Sequence, residues 1–128
     1  MHGPLIVTVR QQLIAAHSNH TTFTLDEGIE HAQRLRERGT IIDLCTYGSF
    51  KAGDADEIEM QFALLGEGLV DTVSTDYGGG IHDPMLLVLE MAVGRGLIGL
   101  AEAIALVTGN VAQAIPKLAP NRGRIARG

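Results

Sequence analysis

Three short apolar runs, each separated from the next by a helix-patterned stretch, constrain the fold of this chain more than any other feature. LIAA, residues 13 to 16, is apolar and ends in the polar cluster HSNHTT, which reads as a buried strand opening into a loop with His17 at its end. Thr24 followed three residues later by Glu27 has the capping-box pattern, and Leu25, Ile29, Ala32 and Leu35 recur at helical spacing until Gly39 stops the helix. TIIDLCTY, Thr40 to Tyr47, is β-branched and predicts a second strand. DADEIEMQFALLGEG predicts a second helix with Asp54 as cap and Ile58, Phe62 and Leu65 on one face. LVDTVS then predicts the third strand.

The rest of the chain reads as helix. Asp83 and Pro84 suit an N-cap and first-turn proline for MLLVLEMAV, with a stop at Gly94 to Gly96. LAEAIALVT predicts a further helix, and Asn110 is expected to cap a short last turn, VAQAI. The glycine-rich basic end PNRGRIARG reads as loop or as the first residues of another element.

Strands alternating with helices predict an α/β fold with a parallel sheet. In such sheets chemistry gathers at the carboxyl ends of the strands. That rule brings His17, Thr46, Tyr47 and Asp76 to one rim. At 128 residues and 45% hydrophobic content, the chain suits one domain, 1–128, with a real core. Ten Lys and Arg against fifteen Asp and Glu leave no basic footprint for nucleic acid or an anionic membrane. The start MHGPLIVTVRQQ lacks a signal-peptide pattern, and no stretch approaches about 18 uninterrupted apolar residues. A single cysteine, Cys45, excludes an internal disulfide framework and suits a cytoplasmic setting.

A histidine and an aspartate at the ends of two parallel strands, with one strand between them, are suitable ligands for a divalent metal such as zinc, and His20 is a candidate third group. Plainer readings stand beside this one. A strand-end Asp before glycines is often a turn residue, and a single His is more often structural than ligating. Gly78, Gly79 and Gly80 fit no phosphate-binding loop and read as a flexible turn. His31 is expected on a solvent-facing helix surface and Cys45 in the core.

Three segments carry a family resemblance: LIAAHSNHTTFTLDEGIEHAQRLRERGTIIDLCTYGSF, GLVDTVSTDYGGGIHDPMLLVLEMAV and LAEAIALVTGNVAQAIPKLAPNRGRIARG. Together they resemble the C-terminal part of the amidohydrolase superfamily barrel, with the closest likeness to the isoaspartyl dipeptidase-like branch. The resemblance implies about three βα units of a (β/α)8 barrel, strands 6 to 8, forming a partial barrel. By that likeness His17 matches the metal-binding histidine of the sixth strand and Asp76 the aspartate of the eighth. His20, Tyr77, Gly78 and Gly79 fall on the substrate-binding side. His20 differs in residue type from its counterparts in the dipeptidase-like members.

The chain departs from that family in lacking a His-x-His pair, a carboxylated lysine or glutamate of the fourth strand, and a histidine of the fifth. A complete barrel needs about 250 residues. The resemblance therefore implies a C-terminal fragment of a zinc-dependent amidohydrolase acting on C–N bonds of amides or cyclic amides, with Asp76 as catalytic acid and base. The expected partners are a small amide-type substrate and either further copies in a homo-oligomer or a complementary N-terminal half. The alternative is a non-catalytic truncated α/β scaffold or small binding module.

Overall fold

The computed structural model describes residues 13–46, 55–76 and 85–127. Within them the chain runs β1 (Ile14–Ala15), α1 (Leu25–Glu37), β2 (Ile41–Cys45), α2 (Ala55–Gly66), β3 (Thr72–Ser74), α3 (Met85–Gly94), α4 (Leu100–Leu106) and α5 (Gly109–Ala114). The strands form one parallel sheet in the order β1-β2-β3, with Ile14 opposite Ile41 and Asp43 opposite Thr72. The α/β reading and the parallel sheet therefore hold. Among the described residues, no helix is long and apolar enough to cross a membrane.

Local signals account for most of these boundaries. The capping box forms: the Thr24 hydroxyl accepts from the Glu27 N–H, and the Glu27 carboxylate accepts from the Thr24 N–H. Gly39 leaves α1 at φ 81°, and Gly96 follows α3 at φ 70°, conformations that a side chain would resist. α1 meets α2 closely at Gly28, where an added Cβ would lie 2.6 Å from the Met60 side chain. The expected caps Asp54 and Asp83, with Pro84, lie outside the described residues.

Two expectations are corrected. The first strand is two residues long and not buried, since Leu13 and Ile14 are exposed. Among the described strands, β1 is an edge with a neighbour on one side only, so its apolar residues meet no second strand there. Asn110 does not cap the last helix. It sits inside α5, whose N-cap is Thr108, and its side-chain amide donates to the carbonyl of Asp71 at 2.9 Å, a long-range bond that outcompetes a local cap.

The sheet has two unlike faces. Ile42, Leu44 and Val73 belong to a buried cluster with Ala32 of α1, Met60, Leu64 and Leu65 of α2, Val88 and Leu89 of α3, and Ala103 of α4. Each large side chain buried there contributes about 1.5–3 kcal/mol. Side chains alternate along a strand, so Asp43, Cys45, Thr72 and Ser74 share the other face. On it the Asp43 carboxylate accepts from the Thr72 hydroxyl at 2.6 Å and the Ser74 hydroxyl at 2.7 Å. This ladder of hydrogen bonds satisfies a carboxylate that would otherwise be costly to bury.

Candidate functional site

The site grows out of the loop after β1 and the end of β3. Past Ala15 the chain turns, the Ser18 hydroxyl donating to the Ala15 carbonyl at 2.7 Å and the Ser18 N–H to the Asp43 carbonyl at 3.1 Å. Asn19 is wholly buried and binds the end of β2 as a neighbouring strand would. Its side-chain oxygen accepts from the Cys45 N–H, and its amide donates to the Cys45 carbonyl, both at 2.9 Å. The same amide donates to the Glu57 carboxylate of α2 at 2.9 Å. The loop carrying His17 is thereby fastened to the middle strand.

On the far side the ladder to β3 runs one residue beyond β2, the Thr46 N–H donating to the Ser74 carbonyl at 2.9 Å. The chain then turns at Asp76. His17 at φ 54° and Asp76 at φ 45° are the two non-glycine residues with positive φ among the described residues. A left-handed backbone costs an ordinary residue about 1–2 kcal/mol, and less for Asp. These two turns aim the side chains at each other, and His17 Nε2 lies 2.9 Å from Asp76 Oδ2.

β1 and β3 are separated by β2, roughly 10 Å apart at their backbones given two strand spacings. The His17–Asp76 pair therefore spans the end of the middle strand, where Cys45 sits. A ligand atom of His17, the Cys45 sulfur and a carboxylate oxygen of Asp76 all lie within 4.8 Å of one another. The His17 and Asp76 side chains are 44% and 61% exposed, so their pairing contributes only about 0–1 kcal/mol to stability. The exposed contact does little to offset the left-handed backbone of the two residues.

The other sequence candidates fall elsewhere. His20 is exposed, and its Nδ1 lies 3.2 Å from the Thr22 N–H and 2.7 Å from the Thr22 hydroxyl, within its own turn. Tyr77, Gly78 and Gly79 lie outside the described residues. His31 is solvent-facing on α1 and meets the Phe23 ring edge-on, centroids 4.6 Å apart. Cys45 is in the core as expected, yet also beside the rim pair. A cavity of about 440 Å³ between β1 and α1 has His17 on its wall but neither Cys45 nor Asp76.

Sequence reasoning missed Asn19, the polar face built on Asp43, and the nearness of Cys45 to the pair. Strand alternation offered a signal for the last two, because Asp43 and Cys45 are two residues apart on one strand. Asn19 offered none, since an Asn in a polar loop is ordinary. No family model, curated protein or solved structure matches this chain. The fold and the rim define it as an α/β unit of three parallel strands with a His/Cys/Asp cluster at their carboxyl ends.

Proposed function

We propose that this chain is the C-terminal portion of an amidohydrolase-type barrel, corresponding to strands 6 to 8, and serves a metal-dependent hydrolase of amide or cyclic-amide C–N bonds in the cytoplasm. The observation that carries the reading is the meeting of His17 and Asp76 across the carboxyl rim at 2.9 Å. An imidazole nitrogen and a carboxylate oxygen from separate strands are a donor set that suits zinc. The unlike faces of the sheet support a barrel wall, because a doubly wound sheet takes helices on both faces and needs both apolar. The exposed Leu13 and Ile14 support a missing neighbour at the β1 edge, supplied by a second copy or a complementary N-terminal half.

A bound divalent ion would supply hydroxide near neutral pH and polarise the substrate carbonyl. Asp76, exposed and hydrogen-bonded to His17, takes the proton from the attacking water and passes it to the departing nitrogen. His17 would hold the ion beside Asp76 once their hydrogen bond opens. Elemental analysis of the gel-filtered protein, with its oligomeric mass, tests the reading alongside assays on β-aspartyl dipeptides and cyclic amides. The expected result is about one ion per chain in an assembled species, with hydrolysis that disappears in Asp76→Asn. A monomer that binds no ion after metal is added back and hydrolyses none of these substrates would instead favour the non-catalytic scaffold. That second reading draws on His20, which is engaged in its own turn and leaves His17 as the rim imidazole among the described residues.

A further inference from the structure

We infer that Cys45 is a third ligand at the rim, so that His17, Cys45 and Asp76 of a single chain hold one thiophilic divalent ion without a donor from any other polypeptide. The inference rests on the reading that His17 and Asp76 hold an ion, and it adds a sulfur donor that the resemblance does not supply. Three adjacent strands contribute one donor each: His17 after β1, Cys45 at the end of β2, and Asp76 after β3. The three donor atoms already lie within 4.8 Å of one another. Around a tetrahedral zinc, with bonds of about 2.0–2.3 Å, such atoms stand roughly 3.3–3.6 Å apart. The 2.9 Å His17–Asp76 contact therefore has to open slightly, and the sulfur closes on it by up to about 1.2 Å, the difference between 4.8 Å and the roughly 3.6 Å that zinc sets.

Exposure sets the route of entry. Cys45 is 1% exposed, whereas the two rim side chains are open to solvent. The ion arrives at His17 and Asp76, and the sulfur forms the floor. The Cys45 thiol now lies 3.7 Å from the Thr75 carbonyl, to which it donates. On binding, the ion gives up water ligands, the S–H bond breaks as the sulfur–metal bond forms, and the proton passes to bulk water with no change of oxidation state. The His17–Asp76 hydrogen bond is exchanged for two bonds to the ion. Asn19 braces this arrangement, because its two bonds to the Cys45 backbone keep the His17 loop against the end of β2. A fourth position stays open to water, as in a catalytic site.

The chain has one cysteine, so any thiolate signal belongs to Cys45. The reduced, gel-filtered protein is titrated with Co2+, and the zinc-loaded protein is examined by X-ray absorption. The expected result is about one Co2+ per chain with a near-ultraviolet thiolate-to-cobalt charge-transfer band, and one sulfur scatterer at about 2.3 Å from zinc. His17→Ala and Asp76→Ala should each weaken Co2+ binding at least about tenfold, and Cys45→Ser should abolish the band. Should Cys45→Ser fail to fold, the absorption spectrum of the parent still decides the question. An ion held by nitrogen and oxygen alone overturns the role of Cys45 while leaving the hydrolase reading intact. A charge-transfer band that survives both His17→Ala and Asp76→Ala, or a folded chain that binds no ion, also overturns the inference. The expected band without amide hydrolysis in any assembled species would retain the site and remove the hydrolase.

Discussion

Each end of the sheet carries a carboxylate facing a basic side chain, and the two pairs are built differently. At the amino end, Asp71 precedes β3 on ordinary backbone. One of its oxygens lies 3.1 Å from Arg36 Nη2, the other accepts from the Ile42 N–H at 2.9 Å, and its carbonyl accepts from Asn110. Arg36 also donates to the Gly68 carbonyl. The pair thus ties α1, β2, α5 and the approach to β3 together. At the carboxyl end, Asp76 meets His17 from an exposed turn, with both residues in the left-handed region. A carboxylate facing a basic group is cohesion at one end, where the group is Arg36, and strained geometry at the other, where it is His17. The difference is that a backbone N–H shares the Asp71 carboxylate, while an open rim faces that of Asp76.

Substitutions can break this comparison or sharpen it. The largest effect is expected at Asn19, whose side chain fastens the rim to β2. Asn19→Leu removes three buried or half-buried hydrogen bonds and should cost about 3 kcal/mol in urea denaturation; a loss below about 1 kcal/mol would mean that the His17 loop is held some other way. Next comes the amino end: Asp71→Ala should cost about 2 kcal/mol, because the Ile42 N–H loses its acceptor and Arg36 its partner. Asp71→Asn, which keeps an acceptor for that N–H, should cost less.

A smaller effect is expected at the start of α1, away from either end. Thr24→Ala should cost about 1 kcal/mol through the lost cap. The Glu27 carboxyl is held below its ordinary value of 4.5, first by the backbone N–H of Thr24 and then by the Thr24 hydroxyl. A carboxyl lowered in the folded state adds stability that is present above the unfolded value and is lost as pH falls through the folded one. Stability should therefore decline on acidification below about pH 4.5, and Glu27→Gln should flatten that limb of a melting-temperature profile. An unchanged profile would show that the box does not persist in solution.

The smallest effects are expected at the carboxyl rim. Asp76→Asn and His17→Gly should each leave stability within about 0.5 kcal/mol of the parent, or raise it, since the lost contact is exposed and glycine accepts the left-handed turn. A loss above about 1 kcal/mol at either position would make the rim pair structural and erase the contrast with Asp71.

The sequence by itself determined the order of strands and helices, the α1 capping box, the glycine stops at Gly39 and Gly96, and the arrival of His17 and Asp76 at one rim. Those features depend on periodicity and on groups a few residues apart, which local chemistry specifies. Tertiary structure alone decided that β1 is exposed, that Asn110 serves Asp71 instead of capping a helix, and that Asn19 is buried against Cys45. It also decided that Cys45 lies beneath the His17–Asp76 pair. Apart from the exposure of β1, those outcomes join residues between 26 and 39 positions apart, whose meeting depends on strand register and packing that no local pattern encodes.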